Sequence, residues 1–400
     1  MILRIIIPIA ILLIVFNGIT AGYIYNTTIK KRNKIIKSIY IVINLIFLFF
    51  IAATIIAMSQ GKNFLAPDRH MVFFVYYYIL FYIPQFIFML FSIVGNRLKD
   101  SGGIIRGIGK ILSIAAIVTL IWGKFHTAMT PEVLTYKIQS PEIPVAFNNY
   151  KIIQFSDLHT GNFNNDTVFI QQLVDSINSY NPDLILFTGD IVSYHSKELD
   201  PYLNILKGLK AKDGVFAVMG NHDYSDYYKW DSDKDRENDL LNLKSYFKKM
   251  NWKLLDNESV IIRNNNDSII LAGMENWGEP PFHAFGDINK TFEVIKPKTS
   301  DYVILMSHNP EFWRQHVMNQ RADIDLTLSG HTHAMQFVVR FNNKTYSPAS
   351  IRYPLWGGLY EDASNSKLLV NVGIGNVFYP MRIGVKPEIS YIILNRTAEK

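Results

Sequence analysis

The chain contains no cysteine. That absence excludes disulfide staples, thiolate metal sites and a cysteine nucleophile together, and it leaves either side of a membrane open. Charge is scarce as well. Asp, Glu, Lys and Arg make up 18% of the 400 residues, where a water-soluble domain carries about a quarter. The shortage has a location: residues 1–124 hold 2 acidic against 13 basic residues, while 125–400 hold 32 acidic and 27 basic. The positive excess thus lies in the apolar N-terminal third, and the C-terminal part is mildly acidic. A nucleic-acid binder needs the reverse, so no nucleic-acid partner is expected. Glycine (23) and proline (16) are too few for collagen-like or low-complexity chains, and 49% hydrophobic residues leave ample material for a core.

Long apolar runs account for the missing charge. Residues 5–29, 38–61 and 71–96 carry no charged side chain, and about 20 apolar residues cross a bilayer as a helix. A cleavable signal peptide is the weaker reading of the first run, because further apolar segments follow it. The fourth segment, 104–123, has 13 uncharged residues between Lys110 and Lys124 and includes Arg106. Snorkelling of these long side chains permits a span, against an interfacial helix as the alternative. The expected spans are about 5–25, 38–60, 71–94 and 104–123. Lys30, Lys31, Arg32, Lys34 and Lys37 fill the first connection, and Arg97, Lys99, Arg106 and Lys110 the third, against Asp68 and Asp100 as the sole acids of the region. Basic loops face the cytoplasm. Four spans then predict an integral membrane protein whose C-terminal part is extracytoplasmic; three spans would make it cytoplasmic.

Residues 125–149, with Pro131, Pro141 and Pro144, read as a linker. From Tyr150 onward a pattern repeats: a short apolar run, then polar residues at its end. Residues 151–156 lead to Asp157 and His159, 183–188 to Gly189-Asp190, and 214–219 to Gly220-Asn221-His222-Asp223. Residues 301–307 lead to His308, and 323–329 to Gly330-His331-Thr332-His333. Runs rich in Ile, Leu and Val read as buried strands, and 166–180 and 239–250 have helical length and periodicity. Open α/β sheets bind ligands beyond the carboxyl ends of their strands. Five strand ends in series carrying Asp, Asn or His supply oxygen and imidazole donors without sulfur, which suits Mn, Fe or Zn. The number of donors fits two ions, which together can clamp the attacking and leaving oxygens at phosphorus.

These motifs, in this order, closely resemble the calcineurin-like metallophosphoesterases, and within them the membrane-associated bacterial branch and transmembrane proteins bearing such a domain. The resemblance covers about 150–395, including Asn371-Val-Gly373-Ile-Gly375 and Pro380-Met-Arg382 near the end. After the N-terminal all-α transmembrane region of four helices that the apolar runs predict, it implies an α/β domain of the four-layer α+β sandwich type. It also implies two divalent metal ions as cofactors. One would be held by Asp157, His159, Asp190 and His333; the other by Asp190, Asn221, His308 and His331, with Asp190 bridging. His222 would be the catalytic histidine and a metal-bridging hydroxide the nucleophile. The implied reaction is hydrolysis of a phosphate ester or diphosphate bond. Some relatives cleave the diphosphate of UDP-2,3-diacylglucosamine, so the implied partners are a membrane and a phosphorylated small molecule or lipid-linked substrate.

Two positions depart from the pattern. Ser193 stands where relatives often have the Asp that orients the histidine, and Asp223 is the adjacent alternative. Ala334-Met335-Gln336 replaces a common Gly-Gly-Gln, and the larger side chains would narrow the site mouth. His195 and His283 are candidates to line the site. The acidic stretch 223–239 reads as a solvated loop, with a lid as the alternative, and the apolar loop 277–282 as a candidate membrane or substrate contact. A catalytically weak binding or sensor protein that keeps the fold competes with the enzyme reading, but no ligand position is lost. A transporter would want ionisable groups in the spans, and these offer scattered Asn and Gln such as Asn44 and Gln85.

Overall fold

The computed structural model describes residues 2–59, 69–98, 100–279, 283–377 and 379–398. Asp68 and Lys99 of the charge pattern, and Pro280, Pro281 and Phe282 of the apolar loop, lie outside the described residues. Two compact units divide at Lys124 and Phe125.

The first unit consists of α1 (Ile2–Thr27), α2 (Lys34–Ser59), α3 (Arg69–Arg97) and α4 (Gly102–Phe125). All four are long and apolar enough to cross a membrane. Their outward side chains are apolar too, with Leu12, Ile35, Phe49 and Ile104 each at least two-thirds exposed. A surface of that kind is unfavourable in water and ordinary against lipid. The polar residues of the spans face one another instead. Tyr40 donates to Gln85 Oε1 at 2.8 Å and Tyr82 to Asn44 Oδ1 at 2.7 Å, while Ser113 donates to the Pro84 carbonyl at 2.8 Å. Interhelical hydrogen bonds of this sort hold membrane helices together, so Asn44 and Gln85 serve packing. Gly109 lets α3 and α4 approach, since a Cβ there would lie 2.5 Å from Phe91 Cβ.

The second unit is built on two six-stranded sheets. In the first, β1 (Glu132–Ser140) lies at one edge, followed by β14 (Glu388–Arg396), β2 (Tyr150–Phe155), β3 (Leu184–Phe187), β4 (Val215–Ala217) and β5 (Trp252–Leu254). The second runs β12 (Gly358–Glu361), β13 (Lys367–Val370), β9 (Leu326–Ser329), β8 (Val303–Met306), β7 (Asp267–Gly273) and β6 (Glu258–Asn264). Strands β2 to β5 pair in parallel, as do β7, β8, β9 and β13. The remaining pair, β10 (Val339–Phe341) and β11 (Lys344–Tyr346), forms a separate antiparallel hairpin.

The alternation of side chains along each strand sorts the core into layers. Ile152, Leu184 and Leu186 face Leu271, Ile304 and Leu328 between the sheets. Their neighbours Ile153, Ile185 and Phe187 face outward, under α5 (Thr167–Ser179) and, beyond the short α6 (Leu203–Leu206), α7 (Asp233–Lys249). On the far face Ile270, Val303 and Leu305 pack with Phe312 and Trp313. The result is the four-layer α/β arrangement.

Residues 125–149 are not a linker throughout. Nine of them form β1, which pairs in parallel with β14 from Glu132↔Glu388 to Ser140↔Arg396. Pro131 and Pro141 flank this edge strand, where their missing N–H groups cost no ladder hydrogen bond. The acidic stretch 223–239 is likewise not an open loop along its length: Ser232 caps α7, and Asp239 is buried, accepting from Ser196 and Ser225.

Candidate metal centre

The site lies at the carboxyl ends of five strands drawn from both sheets. Just past β2, Asp157 and His159 take left-handed backbone angles (φ 54° and 45°). Asp190, His331 and His333 share that conformation at φ 60°, 75° and 50°, which non-glycine residues adopt at a cost. Hydrogen bonds hold these turns. The Asp157 N–H donates to the Gly189 carbonyl at 2.8 Å and the Gly375 N–H to the Asp157 carbonyl at 2.7 Å. Glycine is required at 189 (φ 100°), where a Cβ would lie 2.7 Å from both the Gly220 nitrogen and His308 Nδ1.

Asp157, His159 and His333 form one group whose candidate ligand atoms lie within 4.8 Å of one another. His159, Asp190 and His222 form a second, and Asp190, His308 and His331 a third. His159 Nε2 and His333 Nε2 stand 3.0 Å apart, and His308 Nε2 is 3.2 Å from both Asp190 Oδ2 and His331 Nδ1. Asn221, next in the chain to His222, is a further candidate donor. Its Nδ2 donates to the Tyr227 hydroxyl at 2.9 Å, whereas its Oδ1 is buried without a hydrogen-bond partner.

Electrostatics follow from burial. Asp157 and Asp190 are buried, which opposes their ionisation, yet the surrounding histidines hold both below the usual carboxylate range: His333 and His308 for Asp157, His308 and His222 for Asp190. Burial lowers His308, but Asp190 and Asp157 outweigh it and push it up to about 9. His159 is held well below its ordinary value by burial and by His222, and His331 down to about 3 by burial and by His308. Two buried carboxylates beside His159 and His331, whose lowered values favour the neutral imidazole that binds metal, form a cation-hungry donor set. The residues present therefore fit divalent ions. Their outer partners fit as well: His308 Nδ1 bonds the Thr188 carbonyl at 2.8 Å, and His331 Nε2 bonds the Tyr353 hydroxyl at 2.8 Å. Each bond leaves the opposite ring nitrogen for the site.

His222 is oriented differently from the expectation. Its Nδ1 bonds the main-chain carbonyl of Ser193 at 2.8 Å, so the residue type at 193 contributes through its backbone. Asp223 does not reach the imidazole. Its carboxylate accepts from the N–H groups of Asp190, Ile191, Val192 and Gly220 at 2.8–3.2 Å and so ties two ligand loops together. Burial and the charge of Asp190 push Asp223 up to about 7 against those donors. Sequence reading missed Tyr227, which stacks on His222 with centroids 4.2 Å apart, and Tyr353. No strand end or motif marks either one. His195 packs against Tyr228 and His283 against Phe285; neither joins the three groups.

The closing segment sits on the ligand loops. Gly373 (φ 75°) leaves room that a Cβ would fill at 2.7 Å from Asp157 Cβ, and at Gly375 a Cβ would meet the Leu158 carbonyl at 2.1 Å. Arg382 is buried and donates to the Val372 and Gly375 carbonyls, with Nη2 3.3 Å from His333 Nδ1. At 334–336 the backbone stays left-handed (φ 51°, 43° and 56°), a conformation that glycine adopts without strain. Ala334 is buried and Met335 exposed.

A buried set of His and Asp donors beyond the strand ends of a four-layer sandwich defines a class, and comparison gives it a name. The family model for the calcineurin-like phosphoesterases matches residues 150–335, the stretch that supplies every one of these donors. An uncharacterized metallophosphoesterase of Campylobacter jejuni is 28% identical over 404 aligned positions, 98% of each chain. A transmembrane protein with metallophosphoesterase domain from Bos taurus is 29% identical over 70% of this chain and 62% of its own length. UDP-2,3-diacylglucosamine pyrophosphatase of Chlamydia trachomatis is 27% identical over 72% of this chain and 96% of its own.

Proposed function

We propose that this chain is a membrane-anchored dinuclear-metal phosphoesterase that hydrolyses a phosphate ester or diphosphate bond, on a lipid-linked or cell-envelope substrate outside the cytoplasm. The carrying observation is the set of three ligand groups that overlap at His159 and Asp190. Asp157, His159, Asp190 and His333 would hold one divalent ion, and Asp190, Asn221, His308 and His331 the other. Manganese, iron or zinc would supply Lewis acidity toward a phosphoryl oxygen and a water made acidic enough to attack near neutral pH.

The chain's own residues do the rest. With Nδ1 fixed on the Ser193 carbonyl and its ring held by Tyr227, His222 keeps Nε2 to give a proton to the leaving oxygen or a hydrogen bond to the phosphate. Tyr227 also fixes the amide of Asn221, and the buried Oδ1, which accepts no hydrogen bond, would be the atom to hold the ion. The lipid-linked reading draws on the four apolar helices and on the pyrophosphatase relative.

The test assays the full chain in nanodiscs against phosphomonoester, phosphodiester and nucleotide-diphosphate lipid panels, with elemental analysis alongside. Two ions per chain are expected, and Asp190→Asn abolishes turnover. One ion or none at saturating manganese refutes the dinuclear reading, and full activity with phosphomonoesters alone refutes the lipid-linked one.

A further inference from the structure

The hairpin of β10 and β11 belongs to neither sheet, and every residue of both strands is exposed. Its register places Val339 opposite Tyr346 and Phe341 opposite Lys344. Residues two apart share a face, so Val339, Phe341 and Tyr346 form one apolar side with Lys344 at its tip. These side chains are 45%, 66% and 53% exposed, and Ile351, just beyond, is 90% exposed. A two-stranded hairpin is marginal in water, and an uncovered apolar face with open strand edges invites association. The hairpin is nevertheless held at its base. Arg340 donates to the Gly384 carbonyl at 2.9 Å, and the Ser347 hydroxyl to the Ala334 carbonyl at 2.6 Å.

Charge specifies what covers it. From 326 to 360 the sequence has no Asp or Glu; Arg352 pairs with Glu279 from outside the stretch, and Arg340 and Lys344 are the cations of the hairpin itself. The rest of the second unit is acidic, so this is a local reversal. Apolar side chains flanked by cations match an anionic lipid surface, with headgroups met by Lys and acyl chains by the rings.

We propose that the 339–346 hairpin is a membrane-docking element that dips Val339, Phe341 and Tyr346 into the headgroup region of an anionic bilayer. It begins six residues after His333, so docking would set the candidate metal centre against the lipid surface. The proposal rests on the anchoring reading above, and the experiment separates the two.

Because the chain lacks cysteine, single cysteines can carry an environment-sensitive fluorophore without background. Phe341→Cys, Phe49→Cys in α2 and Lys298→Cys in an exposed loop are each labelled in the full chain. Each is then placed in nanodiscs of phosphatidylcholine and phosphatidylglycerol bearing lipid spin-labelled at the headgroup region or, in a parallel sample, near the acyl-chain end, the first to report on 341 and the second on 49. The expected result is a blue shift and loss of intensity at 341 and at 49, with neither at 298. Quenching at 49 but not at 341 overturns the docking and leaves anchoring intact. A blue shift at 341 without quenching means a protein surface covers the hairpin, which also overturns it. No quenching at 49 or 341 overturns anchoring and docking together.

Discussion

At Ser193 the side chain visible in the sequence turns out to matter less than its backbone, because the carbonyl receives His222 Nδ1. Ser193→Ala therefore leaves the pH–rate profile and turnover unchanged; a profile displaced in this variant would show that the hydroxyl takes part. Tyr227 is the opposite case, a residue without a motif that fixes two that have one. Tyr227→Phe keeps the stacked ring and removes the acceptor for the Asn221 amide. Metal affinity falls about tenfold, the lower end for loss of an outer-shell partner, read by competition with a chelating dye. Asp223→Ala orphans four buried N–H groups and costs upwards of about 2 kcal/mol, measurable as a lowered unfolding midpoint in detergent. The candidate ligands were legible because each follows an apolar run. Tyr227 and Tyr353 were not, since they reach the site across turns whose course no local pattern encodes; Arg382 stood in the closing motif, but its contact with His333 did not show there.

Among the elements, β2, β3, β4, β8 and β9 coincide with the apolar runs because each is buried on both faces and needs continuous Ile, Leu and Val. β1 escaped the pattern. It is an edge strand with mixed exposure, and its pairing with β14 joins residues about 250 positions apart. Proline on either side looks the same for an edge strand as for a linker. The closing segment also acquires a reason: its glycines pass over Asp157 and Leu158 with no space for a side chain. Gly373→Ala adds a Cβ at positive φ against Asp157. It destabilises by about 1–3 kcal/mol and displaces a ligand, so thermal melts and bound-metal content fall together. A melt that drops with metal content unchanged would confine Gly373 to packing.

On the scale of the molecule, the open question is the side of the membrane. All four helices are long and apolar enough to cross, and α4 runs unbroken from Gly102 to Phe125, longer than the uncharged stretch alone suggested. With the basic first and third connections inside, a reporter active only in the cytoplasm and fused after Lys400 stays silent, while the same reporter inserted after Arg32 is active. Signal from the C-terminal fusion would instead mean three spans and an inner-leaflet substrate. The sequence alone determined the class of each part. Twenty-residue apolar runs, buried-strand runs and the donors ending them are local, and both the bilayer's thickness and the sheet's pleat act on local sequence. Tertiary structure decided which donors meet and how each is oriented. A ligand set assembled from five strand ends in two sheets depends on contacts spanning up to 176 positions, from Asp157 to His333, and on carbonyls and hydroxyls whose placement exists only once the chain has closed around them.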